Sequence, residues 1–210
     1  MASHPNIAAI ILAGGRSTRL GRDKASEPLL GRPMLQHVID RVRLLVGEII
    51  VVRARNQRLP AIESAAPIRI AEDDFASIGP LGGIYSGLMA TAAERGLVVA
   101  CDMPLLSRPL LEEMLQRSSG CDVVMPVLAY PEPLHAVYGR ACIAPIRERI
   151  EAGQLKITNF LDAVAVCYMR EDECRALDPD LRSFTNTNTE ADLDLARRLL
   201  EEEERQGSSS

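Results

Sequence analysis

Six short apolar runs, at residues 7–12, 48–52, 68–71, 97–101, 123–127 and 163–169, alternate with longer stretches whose apolar residues recur at helical spacing. This alternation constrains the fold most, because strands joined by crossover helices close into a largely parallel sheet covered on both faces. Met34, Leu35, Val38, Ile39, Val42 and Leu45 share one helical face, and Pro33 stands where a first turn tolerates proline. Further helices are expected over 81–93, 109–117, 142–152 and 189–204. Right-handed crossovers then predict a three-layer α/β/α, doubly wound, mostly parallel sheet, with ligands gathered at the carboxyl ends of its strands. A chain of 210 residues, 47% hydrophobic, can bury one such core. No repeat or linker divides it, so residues 1–204 read as a single domain. The acidic run 201–204, leading to Gly207 and three serines, makes 205–210 a solvated, flexible tail.

Charge and cysteine usage narrow the function class. Net charge is -5 and the basic residues are scattered outside one loop, so no basic face is visible for a nucleic-acid backbone. The five cysteines, Cys101, Cys121, Cys142, Cys167 and Cys174, form no C-x-x-C pair and are odd in number. Reduced thiols in a cytoplasmic protein fit this usage, with no zinc site. The start, MASHPNIAAIILAGG, lacks a basic leader, and glycines break its apolar run too early for a signal peptide or a membrane span.

The loop after the first run reads LAGGRSTRLGRDKA over 12–25. Gly14 and Gly15 let the backbone turn tightly and offer its N–H groups to phosphate oxygens. Arg16, Arg19, Arg22 and Lys24 add four cations. A dinucleotide fingerprint requires G-x-G-x-x-G, whereas these glycines are adjacent and the next is Gly21. A P-loop closes with Gly-Lys-Ser/Thr, whereas Lys24 lies between Asp23 and Ala25. What remains is either a triphosphate cradle of a third kind or a surface loop with solvated arginines.

These residues resemble the signature of the small nucleotidyltransferases related to molybdenum cofactor guanylyltransferase: LAGG, a variable pair, Arg, a Gly, then Asp-Lys. In the related sugar-nucleotide and cytidylyl transferases the lysine commonly follows a proline, so Asp23-Lys24 resembles the cofactor branch. The likeness continues through Asp73 with GPLGGI at 79–84, CDMP at 101–104, PLHAVY at 133–138 and FTNTNT at 184–189, in order along nearly the whole chain. It implies a nucleotide-diphospho-sugar-transferase-like, Rossmann-like fold.

The resemblance also implies roles. Lys24, Arg19 and the Gly14 and Gly15 amides would stabilise the departing pyrophosphate. Leu12 and Ala13 would meet a purine through their backbones, and Asp73 would accept hydrogen bonds from the nucleoside. Asp102 follows an apolar strand that Pro104 ends, so its carboxylate belongs at the sheet's carboxyl edge. There it either binds magnesium with substrate phosphates or opens a turn before the next helix; the resemblance favours the metal. Gly79, Gly82 and Gly83 allow close approach to a base or ribose, close packing, or both. Arg53 departs from the family pattern, where several relatives have a polar nucleoside contact such as Asn.

On the acceptor side the resemblance points to His135, Lys156, Asn186 and Asn188. His135 is in any case given binding and not proton transfer, since an ionised phosphate needs no base. Lys156 would hold an anion as a point charge where relatives carry arginine. Asn186 and Asn188 are acceptor contacts or ordinary turn residues, and Thr189 with Asp192 reads as a capping box. The implied activity is magnesium-dependent transfer of GMP from GTP to molybdenum-molybdopterin, forming molybdopterin guanine dinucleotide and releasing pyrophosphate. Molybdenum-insertion and cofactor-delivery proteins would be its partners. The rivals are cytidylyl transfer to the same cofactor and a non-catalytic module that binds nucleotide or delivers cofactor.

Overall fold

A computed structural model describes residues 4–14, 23–75 and 78–207. Strand β1 (His4–Leu12) is followed by a short 3-10 turn at Lys24–Ser26 and the small hairpin β2 (Pro28–Leu29) and β3 (Arg32–Pro33). Helix α1 (Met34–Val42) leads to β4 (Val46–Arg53) and β5 (Ile68–Glu72), then α2 (Pro80–Met89) to β6 (Arg95–Ala100). Helix α3 (Arg108–Arg117) precedes β7 (Val123–Val127) and β8 (His135–Gly139). Then come α4 (Ile143–Glu151), β9 (Val166–Arg170), α5 (Glu171–Leu177) and α6 (Glu190–Gly207). The last helix thus continues to Gly207, through positions 205–207 where the sequence suggests a tail.

The seven long strands form one sheet in the order β5-β4-β1-β6-β8-β7-β9. All run parallel except β8, which is antiparallel to both β6 and β7. The expected mostly parallel, doubly wound sheet is the observed one. β1 shows why its sequence reads as an unbroken apolar run. Ile7, Ala9, Ile11 and Ala13 join the core under α1 and α3, while Ala8, Ile10 and Leu12 join the core under α2 and α4. Both faces of a central parallel strand are covered, so both sets of alternating side chains must be apolar. A smaller apolar cluster of Leu29, Met34, Leu105, Leu193, Ala196 and Leu200 docks α6 beside the β2–β3 hairpin.

The strand missed by periodicity is β8. All five of its residues are buried, including a histidine and a tyrosine, and prolines 131 and 133 precede it. With both faces covered it shows neither alternation nor a clean apolar run. It splits the sheet into a parallel half, β5-β4-β1-β6, and a second half, β7-β9, and the carboxyl edges of both open on the same side.

Candidate active site

Asp102 lies two residues beyond β6, where Cys101 N donates to Leu12 O at 3.1 Å and so extends the pairing of the two central strands to their ends. Lys24 is placed by the capped turn after the glycine-arginine loop. Asp23 is its N-cap, with Oδ1 accepting from Ala25 N at 3.2 Å. The third partner arrives from far along the chain. Thr187 donates to Asp102 O through N at 3.0 Å and Oγ1 at 3.2 Å, which pins the 184–189 segment to the end of β6.

The result is a single cluster. Lys24 Nζ donates to Asp102 Oδ2 at 2.6 Å and to Asn188 Oδ1 at 2.5 Å. Both ions are partly sequestered, with side-chain exposures of 22% and 13%. An ammonium has three donors. Two of them are committed among the described residues, and a phosphate oxygen suits the remaining one. Asn188 is itself fixed by the helix start behind it. Asp192 Oδ2 accepts from Asn188 N at 3.0 Å and Thr189 N at 2.8 Å, while Thr189 Oγ1 accepts from Asp192 N at 3.2 Å. The capping box expected from Thr189 and Asp192 is therefore present, and its hydrogen bonds hold the Asp192 carboxyl below its usual range.

The residues expected to meet the nucleoside stand at the ends of β4 and β5. Asp73 N donates to Arg53 O at 2.8 Å, and Asp73 Oδ1 accepts from Phe75 N at 2.9 Å and Ser86 Oγ at 3.3 Å. Burial raises the Asp73 pKa, against the lowering effect of the two hydrogen bonds. Gly79 caps α2 at φ 84°, a left-handed conformation that favours glycine, and Pro80 follows at the first helical position. A Cβ on Gly82 would stand 2.6 Å from Phe75 Cβ and 3.1 Å from Asp73 Oδ1, so packing alone requires glycine there.

Several expected contacts look different in three dimensions. The Ala13 and Gly14 N–H groups both donate to Val52 O, at 2.8 and 3.2 Å, and Ala13 O accepts from Gln57 Nε2 at 2.9 Å. Instead of lying open to phosphate or purine, these groups tie β1 to β4. Arg19 and Gly15 lie outside the described residues. Arg53 is engaged within the fold: it donates to Glu72 Oε1 at 2.9 Å and Gln57 O at 2.7 Å.

The acceptor residues separate. Asn188 joins Lys24, whereas Asn186, two positions earlier, is exposed. His135 departs most from its expected place: it is 0% exposed and stacked on Phe184 with ring centroids 4.7 Å apart, so it faces the core from β8 and not an open cleft. Burial pushes its pKa down to about 4. Lys156 lies exposed on a cleft of about 740 Å³ lined by Tyr130, Pro131, Pro133, Ile157, Thr158, Leu161, Asp162 and Tyr168. The residues that sequence reasoning missed are Ser86, Gln57 and the two tyrosines. They are polar or aromatic groups whose neighbours come from distant segments, and no local pattern announces them.

Asp102 suits a magnesium site in which one carboxylate acts with substrate phosphates. Among the described residues no group of three or more His, Cys, Asp or Glu could hold a metal by protein ligands alone. A carboxylate placed in this way fits an ion shared with the phosphates of a nucleotide.

Residues 9–166 match the family described as the MobA-like NTP transferase domain. The chain belongs to that family. It is similar to a protein of Pelotomaculum thermopropionicum named "Probable molybdenum cofactor guanylyltransferase", 36% identical over 91% of this chain and 92% of the relative. It is similar also to the molybdenum cofactor guanylyltransferase of Desulfosudis oleivorans, 34% identical over 92% of this chain and 96% of the relative. Among solved structures, molybdopterin-guanine dinucleotide biosynthesis protein A of Archaeoglobus fulgidus superposes with a TM-score of 0.75 at 25% identity, covering 93% of this chain and 99% of that one. The family match makes this MobA-like chain a nucleotidyltransferase. No helix among its described residues is long and apolar enough to cross a membrane.

Proposed function

We propose that this MobA-like protein transfers GMP from GTP to the terminal phosphate of molybdenum-molybdopterin, forming molybdopterin guanine dinucleotide and releasing pyrophosphate. The observation that carries the reading is Lys24 held between Asp102 and Asn188 at the carboxyl edge of the parallel strands, in a chain whose relatives bear the guanylyltransferase name.

The chemistry is an in-line displacement at the α-phosphorus by an acceptor phosphate that is already ionised, so no general base is required. Catalysis then rests on positioning and on neutralising charge as pyrophosphate departs. Lys24 supplies a cation to the leaving phosphates, and Arg19 adds another. Asp73 accepts from donors on the nucleoside. Asp102 would hold magnesium, which when bound would neutralise phosphate charge. Lys156 gives the acceptor phosphate a cation, and Tyr130 and Tyr168 give a flat pterin two aromatic side chains within the same cleft. Molybdenum-insertion and cofactor-delivery proteins would supply the substrate and take the product. Five free cysteines suit the reducing cytoplasm.

The test is direct. Purified protein with GTP, magnesium and molybdenum-molybdopterin should form the dinucleotide cofactor and release pyrophosphate. No product with GTP, but product with CTP, would move the reading to cytidylyl transfer. Nucleotide binding without pyrophosphate release from either would establish a binding module instead.

A further inference from the structure

The side-chain amide of Gln57 touches three chain segments. Its Nε2 donates to Ala13 O at 2.9 Å and Asp23 Oδ1 at 3.0 Å, and its Oε1 accepts from Ala54 N at 2.9 Å. Ala13 and Asp23 flank the glycine-arginine loop: one follows the last residue of β1, and the other caps the turn that carries Lys24. A single amide, rooted in neither side, therefore closes the base of the loop.

Gln57 is itself set by a tight turn and an arginine. Gln57 N donates to Ala54 O at 3.0 Å, and Asn56, at φ 63°, takes the left-handed position that such a turn requires. Arg53 Nη1 donates to Gln57 O at 2.7 Å, while Arg53 Nη2 is anchored on Glu72 Oε1 at the end of β5. The chain of contacts thus runs Glu72, Arg53, Gln57, Asp23, Lys24 and Asp102, from an outer strand to the centre of the cleft.

We propose that Gln57, braced by Arg53, is a positioning residue for nucleotidyl transfer: it clamps Ala13 to Asp23 and so sets where the Lys24 ammonium stands against Asp102. A carboxylate with one oxygen shared between Ala25 N and Gln57 Nε2 has little freedom to rotate, and Asp23 in turn fixes the first residue of the turn. Without the amide donor, Ala13 O and Asp23 Oδ1 each lose a partner and the two sides of the loop are no longer tied through it. Small misplacements of a charged group cost rate far more than they cost stability. Arg53 departs from the family's polar residue at this position, and the brace gives that departure a purpose.

The proposal rests on the transfer reading for its kinetic arm only. That arm compares the parent with Gln57→Leu and with Gln57→Glu, which keeps an acceptor for Ala54 N while removing both donated bonds. Turnover should fall about tenfold, with KM for GTP and melting temperature changing little. The second arm needs no turnover. Lys24 and Lys156 are the chain's two lysines, so limiting acetylation by an N-hydroxysuccinimide ester, read by peptide mass spectrometry, reports Lys24 with Lys156 as internal reference. In both variants the Lys24 to Lys156 ratio should rise at least about threefold as the ammonium leaves its paired position.

An unchanged ratio overturns the proposal, whatever the kinetics show, and so does a loss of melting temperature with ratio and turnover intact. If the parent itself makes no product, the transfer reading fails and the acetylation ratio alone decides the brace. Arg53→Met should shift the ratio in the same direction, and adding it to Gln57→Leu should change nothing further. Additive effects would remove Arg53 from the scheme.

Discussion

The two halves of the sheet's carboxyl edge are prepared differently. On the parallel half the polar side chains of the cluster are held by other elements: Lys24 by Asp102 and Asn188, Asp73 by Ser86, Asp23 by Gln57. On the half beyond β8, Lys156 is exposed, and Tyr130 and Tyr168 stand 78% and 49% open around a wide cleft. Under the proposed transfer, the half held by hydrogen bonds would take the donor nucleotide, and the open half would leave its ordering to the acceptor. A leaving group that develops charge gains most from fixed dipoles and cations, whereas an acceptor needs chiefly to be captured.

This contrast is sharpest at Lys24 and Asp102. Lys24→Ala and Asp102→Ala should each lower turnover by about a hundredfold or more, since each removes charge stabilisation from the transition state. Steady-state assays of dinucleotide formation check this, and full turnover by Asp102→Ala would break the metal assignment. The second expectation concerns the strand that separates the halves. His135 is held neutral in the folded state with a pKa of about 4, below the ordinary 6.5. Above pH 6.5 it therefore costs nothing, and as pH falls from 6.5 toward 4 the unfolded chain takes up the proton first, so stability is lost across that window. The full loss is on the order of 3 kcal/mol. His135→Phe, which keeps a ring against Phe184 and removes the buried titrating group, should flatten this limb in denaturation measured against pH.

Lys156→Ala belongs to the open half and should raise KM for the acceptor about tenfold while kcat with saturating acceptor holds nearly steady. An equal fall in kcat would mean that the acceptor side, too, is used in the transition state, and the contrast would be lost. The smallest effect is expected at the helix start behind Asn188: Thr189→Ala should cost about 1 kcal/mol in denaturant unfolding through the lost cap.

Much of this was legible in the chain. The runs at 7–12, 48–52 and 123–127 mark strands because burial on both faces leaves little but Ile, Val, Leu and Ala at those positions. The loop at 12–25 pointed to Lys24, and the abrupt end of an apolar run pointed to Asp102. β8 was hidden by the prolines before it and by a buried histidine. The seven-residue α5 and the two-residue strands β2 and β3 are too short to show a period. His135 sat in a family-like segment and so drew a binding role, yet which face of a strand a residue takes depends on register, and here the register turns it into the core against Phe184.

The sequence by itself determined a covered, mostly parallel sheet and a cationic loop after its first strand, because hydrophobic period and glycine spacing are local properties of the chain. Only the tertiary structure decided which polar groups meet. Lys24 lies 78 positions from Asp102 and 164 from Asn188. Gln57 reaches back 44 positions to Ala13 and 34 to Asp23. Contacts across such separations are set by strand order and by where each strand ends, and no local pattern in the sequence records them.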